Sequence, residues 1–307
     1  MSKRRTVLVI GAGAILAVAA IIIGIGRQSG SSDRVSVAEL AQRTHFHGLA
    51  VDPKNPARLL LATHHGLYAV NVGDGFAERI SETTDDFMGF MPHPTDAAVL
   101  YASGHPAGGG NLGFIASRDG GRSWTQLSPG AAGIADFHNM TAGAADPGTI
   151  YGAYAGTLQV SRDDGATWAA LGPAPEGLLD LAASSKTPGQ LLAGTKVGLL
   201  LSPDGGKSWR PAYASENPVP LAQVTQKGTV FAFVIGTGLI RSSEPELAWQ
   251  VIGSQLGDRF IVHLAADPAD ERRLYAVTID RGTQQQEIMT SSDAGATWSP
   301  LATGNTE

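Results

Sequence analysis

Two hydrophobic patterns divide the chain. Between Arg5 and Arg27 lie 21 residues without a charge, "TVLVIGAGAILAVAAIIIGIG". At about 1.5 Å per residue this run spans roughly 30 Å, the thickness of a hydrocarbon core. Lys3, Arg4 and Arg5 should hold its start in the cytoplasm, which puts the remainder on the extracytoplasmic side of a bacterial cell envelope. A cleaved signal peptide is the competing reading, but such peptides have apolar cores of about 7 to 15 residues and end in an Ala-x-Ala-like site. Here "GIGRQSGSS" follows instead, so a retained single-pass anchor is expected. Beyond Ser36 the apolar residues come in short runs broken by turn residues, the pattern of β-strands.

Those short runs repeat. Each unit opens on an apolar strand closed by a turn: "HGLAVDP", "MGFMPHP", "TAGAADP", "LAASSKTP" and "HLAADP". A second strand follows ("RLLLATH", "VLYASGH", "TIYGAYA", "QLLAGTK", "RLYAVTI"), then a Gly-led third strand, a polar turn and an outer strand. Including a divergent first unit (about 45 to 81) and fifth (about 218 to 254), there are six units of about 40 to 49 residues, within the range of propeller blades. The polar turn is the sharpest feature. "SRDGGRSW" (117 to 124), "SRDDGATW" (161 to 168), "SPDGGKSW" (202 to 209) and "SSDAGATW" (291 to 298) align without gaps. "SSEPELAW" (242 to 249) is a fifth copy with Glu244 at the Asp place, and all five tryptophans occupy the eighth position. Asp can accept backbone N–H bonds across such a turn, Gly supplies positive φ, and Trp packs between sheets.

This motif resembles the Asp-box, or BNR repeat, of sialidases, sortilin-type receptors, photosystem II assembly factors and bacterial proteins labelled BNR-repeat glycosyl hydrolases. The resemblance spans about residues 44 to 303 and implies an all-β, six-bladed β-propeller, with a seven-bladed or irregular ring as the alternative. The expected organisation is a cytoplasmic stub and transmembrane helix at 1–27 (or an uncleaved signal), a linker at 28–43, the propeller at 44–303 and a tail at 304–307. "VSVAEL" (35 to 40) is a candidate extra strand for the last blade.

Composition narrows the chemistry. A net charge of -6 offers no basic field for nucleic acid, and the absence of cysteine excludes disulfides, thiolate ligands and a lipid-modified Cys anchor. No organic cofactor motif sits in a suitable context. Seven of the eight histidines, however, lie between residues 45 and 138. Aligning blades on their turns matches His45 and His47 with Asp86 and Met88, and with His138 and Met140. Strand alternation would point each i, i+2 pair to one face. His64, His65 and His105 end second strands at the same rim. His45, His47, His64, His65, Asp86, Met88, His105, His138 and Met140 are therefore expected at the channel mouth of blades one to three, as a site for copper or zinc. His93 takes the Asp place of a turn and reads as structural, and His263 has the wrong strand parity to join.

The sialidase resemblance implies an arginine triad, a Tyr nucleophile with a Glu partner and an Asp acid/base. This chain departs from that pattern: Arg118, Arg122, Arg162 and Arg241 lie in or beside the boxes at the opposite rim, leaving Arg259 and Arg281 alone to reach the binding face. A general glycoside hydrolase needs only two carboxylates about 5 to 9.5 Å apart, and Asp86 with Asp136 is the candidate catalytic pair. The third reading is a docking scaffold for a membrane or envelope protein partner, with "GHPAGGGNLGF" (104 to 114) as the contact loop. Binding rather than catalysis is the expectation.

Overall fold

The structure, a computed structural model, describes residues 34–253 and 256–302. The apolar run from Thr6 to Gly26, read as a transmembrane helix, lies outside those residues. Among the described residues no helix is long and apolar enough to cross a membrane.

Six antiparallel sheets follow one another along the chain, each with four strands in sequence order from the inside out. Their inner strands are Phe46–Val51, Asp86–Pro92, Asn139–Ala142, Leu178–Ala183, Leu221–Val224 and Arg259–Ala266. The ring is six-bladed, so the seven-bladed alternative falls. Cohesion resides between blades: each of six apolar clusters joins two successive sheets, as where Leu60, Ala62 and Leu67 of the first meet Phe87, Leu100 and Ile115 of the second. Burying both faces of every sheet explains why these strands read as nearly continuous apolar runs rather than clean alternation.

Ring closure differs from the expectation. Residues 35–40 add no strand to the last blade: Val35–Ser36 pairs with Phe76 and Ala77, giving the first blade a fifth, outer strand. A helix, Val37–Arg43, follows, with the Ser36 side chain accepting from the Glu39 N–H as its N-cap. Its Val37 and Leu40 pack into one cluster with Ala265, Val277, Ile288 and Leu301 of the sixth blade. The helix thus bridges first and last blades, and the Phe46 N–H donates to Gln286 Oε1 across the same seam at 2.9 Å. Residues 35–43, assigned above to the linker, belong to the folded body.

The box turns consume their carboxylates locally. Asp293 accepts from the Thr297 hydroxyl and N–H and from Ser291, and the Thr297 bonds hold its pKa down to about 2; Asp204 repeats this with Ser208 and Ser202. The turns also staple blades together. A Cβ on Gly121, Gly165, Gly206 or Gly295 would land 1.9 to 2.4 Å from Leu67, Phe114, Leu158 or Leu239, each in the third strand of the preceding blade. Glu244 behaves differently, accepting from the backbone and hydroxyl of Ser185 in the fourth blade.

Candidate functional site

Inner strands all run one way around the axis, so their starts share one rim with the turns joining second and third strands. The boxes sit at the other rim, against the turns that end the inner strands: Asp164 N–H donates to Gly148, Gly205 to Gly189 and Ala294 to Arg272. His93 lies at this far rim as well. Its Nδ1 accepts from the N–H groups of Thr95 and Asp96, the role an Asp side chain fills in neighbouring units.

Between the rims runs a channel of about 710 Å³, lined in part by His47, His138, Asp180, Gln223 and His263. Near the box rim Gln226 donates to the Pro94 carbonyl at 2.8 Å. Pro94 follows the inner strand of blade two and Gln226 that of blade five, which stand opposite each other in a six-membered ring. This bond is therefore a strut across the bore, and the histidine rim is the less obstructed entrance.

At that entrance five of the nine metal candidates fall into two triads, the second completed by Asp136, and the other four are outliers. The first triad is His47, His64 and Asp86, at the seam of blades one and two; the second is His105, Asp136 and His138, at the seam of blades two and three. In each, one ligand atom per residue lies within 4.8 Å of the others. In the first, the His64 Nδ1 and Asp86 Oδ2 are 2.6 Å apart, a hydrogen bond with nitrogen donating to the carboxylate. The His47 ring packs edge-on to that of His64, centroids 4.2 Å apart. His47 Nε2 and Asp86 Oδ1 face each other at 3.8 Å, beyond hydrogen-bond range, and both are buried without a partner in the protein. In the second triad both imidazole Nε2 atoms converge on Asp136 Oδ2, His105 from 3.0 Å and His138 from 2.6 Å.

The outliers have physical reasons. A bulge between Phe46 and Gly48 adds one residue to the first inner strand and breaks the strict alternation that paired His45 with His47. His45 is exposed, its ring 5.6 Å from that of His64. His65, also exposed, pairs its Nδ1 with Thr44 Oγ1 at 3.1 Å. Met140 packs into the apolar cluster of blade three with Phe137 and Ile150. Met88 is buried on a strand whose register shifts between Met88 and Met91, and it is not among the channel-lining residues. Arg259 is occupied by Glu287 at 3.1 Å. Asp86 and Asp136, the candidate catalytic pair, fall in different triads, each with an oxygen already engaged by imidazole.

Two further groups line the channel: Asp180, which sequence reasoning placed with Asp85, Asp86 and Asp136 among the carboxylates able to reach the mouth, and His263, which it missed. Asp180 lies behind a bulge of the fourth inner strand; burial pushes its pKa up to about 7, against the N–H bonds from Ala222 and Leu181. His263, set aside on parity, belongs to neither triad but lines the channel behind another bulge and hydrogen-bonds the Phe46 backbone. Burial holds its pKa down to about 4, and burial with the neighbouring His64 holds His47 at about 3. His47 and His263 are thus kept uncharged, whereas the hydrogen bond to Asp136 raises the pKa of His138, which also lines the wall.

A stability effect follows. Unfolded His263 would titrate near pH 6.5, so between about 6.5 and 4 the unfolded chain binds more protons, and stability falls as pH drops through that window. Asp180 has the opposite sign, its contribution being lost as pH rises from about 4 toward 7. In metal-free protein, His263→Gln should reduce the loss between pH 7.5 and 4.5 by about 2 to 3 kcal/mol, read by urea denaturation at both values. An unchanged difference would show that His263 protonates freely in the fold.

No family model matches the chain, and no curated protein matches it. Solved structures do. The GH74 enzyme of Niastella koreensis aligns at TM-score 0.61 and 15% identity, over 84% of this chain and 45% of that one. The GH74 xyloglucanase of Xanthomonas campestris aligns at 0.57 and 18%, over 84% and 45%. A structural genomics protein of unknown function from Bacteroides thetaiotaomicron aligns at 0.59 and 9%, over 80% and 69%. The chain spans less than half the length of the two enzymes. At these identities the likeness is one of fold: a β-propeller.

Proposed function

We propose that this chain is a membrane-tethered, extracytoplasmic Asp-box propeller that binds rather than catalyses, holding a transition-metal ion between His47, His64 and Asp86. One observation carries the reading: a buried imidazole nitrogen and a buried carboxylate oxygen face each other 3.8 Å apart, both unpartnered. Leaving two polar atoms so costs about 1 to 3 kcal/mol each unless something lies between them. Two ligands bonded at about 2.0 to 2.2 Å to one tetrahedral ion stand roughly 3.4 Å apart, close to the gap present. Two neutral imidazoles and a carboxylate suit zinc or Cu(II); with both thioethers outside the triad, nothing here favours Cu(I). Tethering rests on the uncharged run at 6–26 and its basic flank. The exposed loop residues Ala107–Gly110 beside the triads are the contact we assign to an envelope partner.

The test is metal content after zinc loading and desalting of protein purified without a histidine tag. His47→Ala/His64→Ala should hold one equivalent less than wild type. Equal content would remove the site.

A further inference from the structure

We infer that His105, Asp136 and His138 form a second, separate divalent-metal site, more exposed and faster to exchange than the first. The inference is independent of the proposed function, because it uses different residues at a different seam.

It begins with hydrogen positions. His105 Nδ1 lies 2.7 Å from the Gly110 carbonyl oxygen, which can only accept, so Nδ1 carries the proton. In a neutral imidazole the other nitrogen is then a bare lone pair. That nitrogen, Nε2, faces Asp136 Oδ2 at 3.0 Å, and an ionised carboxylate is likewise an acceptor. Two lone pairs do not rest at hydrogen-bond distance without a positive centre between or beside them. A proton on His105 would serve that pair, and His138 can donate its own Nε2–H to the same oxygen, but neither reaches Asp136 Oδ1. His138 Nε2 converges on the same oxygen from 2.6 Å, and Asp136 Oδ1 is buried with no partner at all. A divalent ion accounts for every one of these groups at once: two imidazole nitrogens and a carboxylate, arranged around one point.

The fit demands little movement. Ligand atoms about 2.0 to 2.2 Å from a tetrahedral ion stand roughly 3.4 Å apart, so the side chains need to open by less than about 1 Å. The Asp136 side chain is fixed, 9% exposed, whereas His105 and His138 are 41% and 56% exposed and free to adjust. The Gly110 carbonyl does for His105 what outer partners commonly do for metal-bound histidines, fixing its tautomer and aiming its lone pair. Gly108 to Gly110 have open space around them, so the loop carrying that carbonyl can follow the ring. Solvent reaches both imidazoles here, whereas in the first triad it reaches only His64, 40% exposed, the His47 and Asp86 side chains being 17% and 18% exposed.

The experiment titrates metal-free protein with Zn²⁺ by calorimetry and with Co²⁺ by visible absorption, then follows removal by a chelator. Wild type should bind two equivalents, one released at least tenfold faster. His105→Gln/His138→Gln, at exposed positions where folding is not at stake, should bind one and lose the fast phase. Asp86→Asn should keep the fast phase. A single equivalent in wild type that survives His105→Gln/His138→Gln would overturn the inference and leave the first site standing. A single equivalent lost in that variant would support it while removing the first. Two slow equivalents, or none, would overturn it, leaving the lone pair of His105 to be met by a proton only.

Discussion

Zinc at one hundred times its dissociation constant should stabilise the propeller by about 2.7 kcal/mol per site, and Asp86→Asn should cancel the share of the first triad. The comparison belongs in the His105→Gln/His138→Gln background, so that one site is read. Asn preserves the shape of Asp86 and can still accept the His64 Nδ1–H through its amide oxygen, so the fold is kept. What disappears is the charge, and with it the oxygen that faces His47 Nε2. An amide is a far weaker ligand for a divalent ion than a carboxylate. Guanidinium denaturation with and without zinc gives the answer. A shift that persists in Asp86→Asn places the ion elsewhere.

Gly165→Ala should be among the most damaging single methyl groups in the described fold. Gly165 has φ +84°, and a Cβ would stand 1.9 Å from Phe114 Cε1. Phe114 has nowhere to go: it is fully buried, 5.0 Å from the Tyr101 ring and 5.4 Å from that of Trp168. Overpacking and left-handed strain together should cost about 3 to 4 kcal/mol. Gly156→Ala separates the two terms, since its φ is +76° but no atom lies within 4 Å, leaving about 1 kcal/mol of strain. Equal losses in the two variants, by urea denaturation, would show that the box turn does not staple its neighbour.

The boxes were legible because their chemistry is local: Ser, Asp and Gly within five residues bond one another and need no distant partner. Blade number followed from counting repeat units, five with a box and a divergent first unit without one. The helix at 37–43 was written in the chain too, since Ser36 and Glu39 stand at capping-box spacing, but the apolar run around them was taken for a strand. Convergence of His47, His64 and Asp86, and of His105, Asp136 and His138, was within reach because blade register decides which rim a residue occupies. Which side chain turns inward was not. That depends on single-residue bulges at 46–48, 178–180 and 261–263, and a bulge leaves no mark in an apolar run. Alternation therefore grouped His45 with His47 and excluded His263 from the channel. The bond from Gln226 to Pro94, 132 residues apart, has no local signature of any kind.

Diffraction from zinc-loaded crystals, collected on both sides of the zinc absorption edge, tests the account most directly. It predicts an anomalous peak between His47 Nε2 and Asp86 Oδ1, about 2.0 to 2.2 Å from each. Density there without anomalous signal, with the two atoms still 3.8 Å apart, would mean that water fills the gap and that the first triad binds no metal.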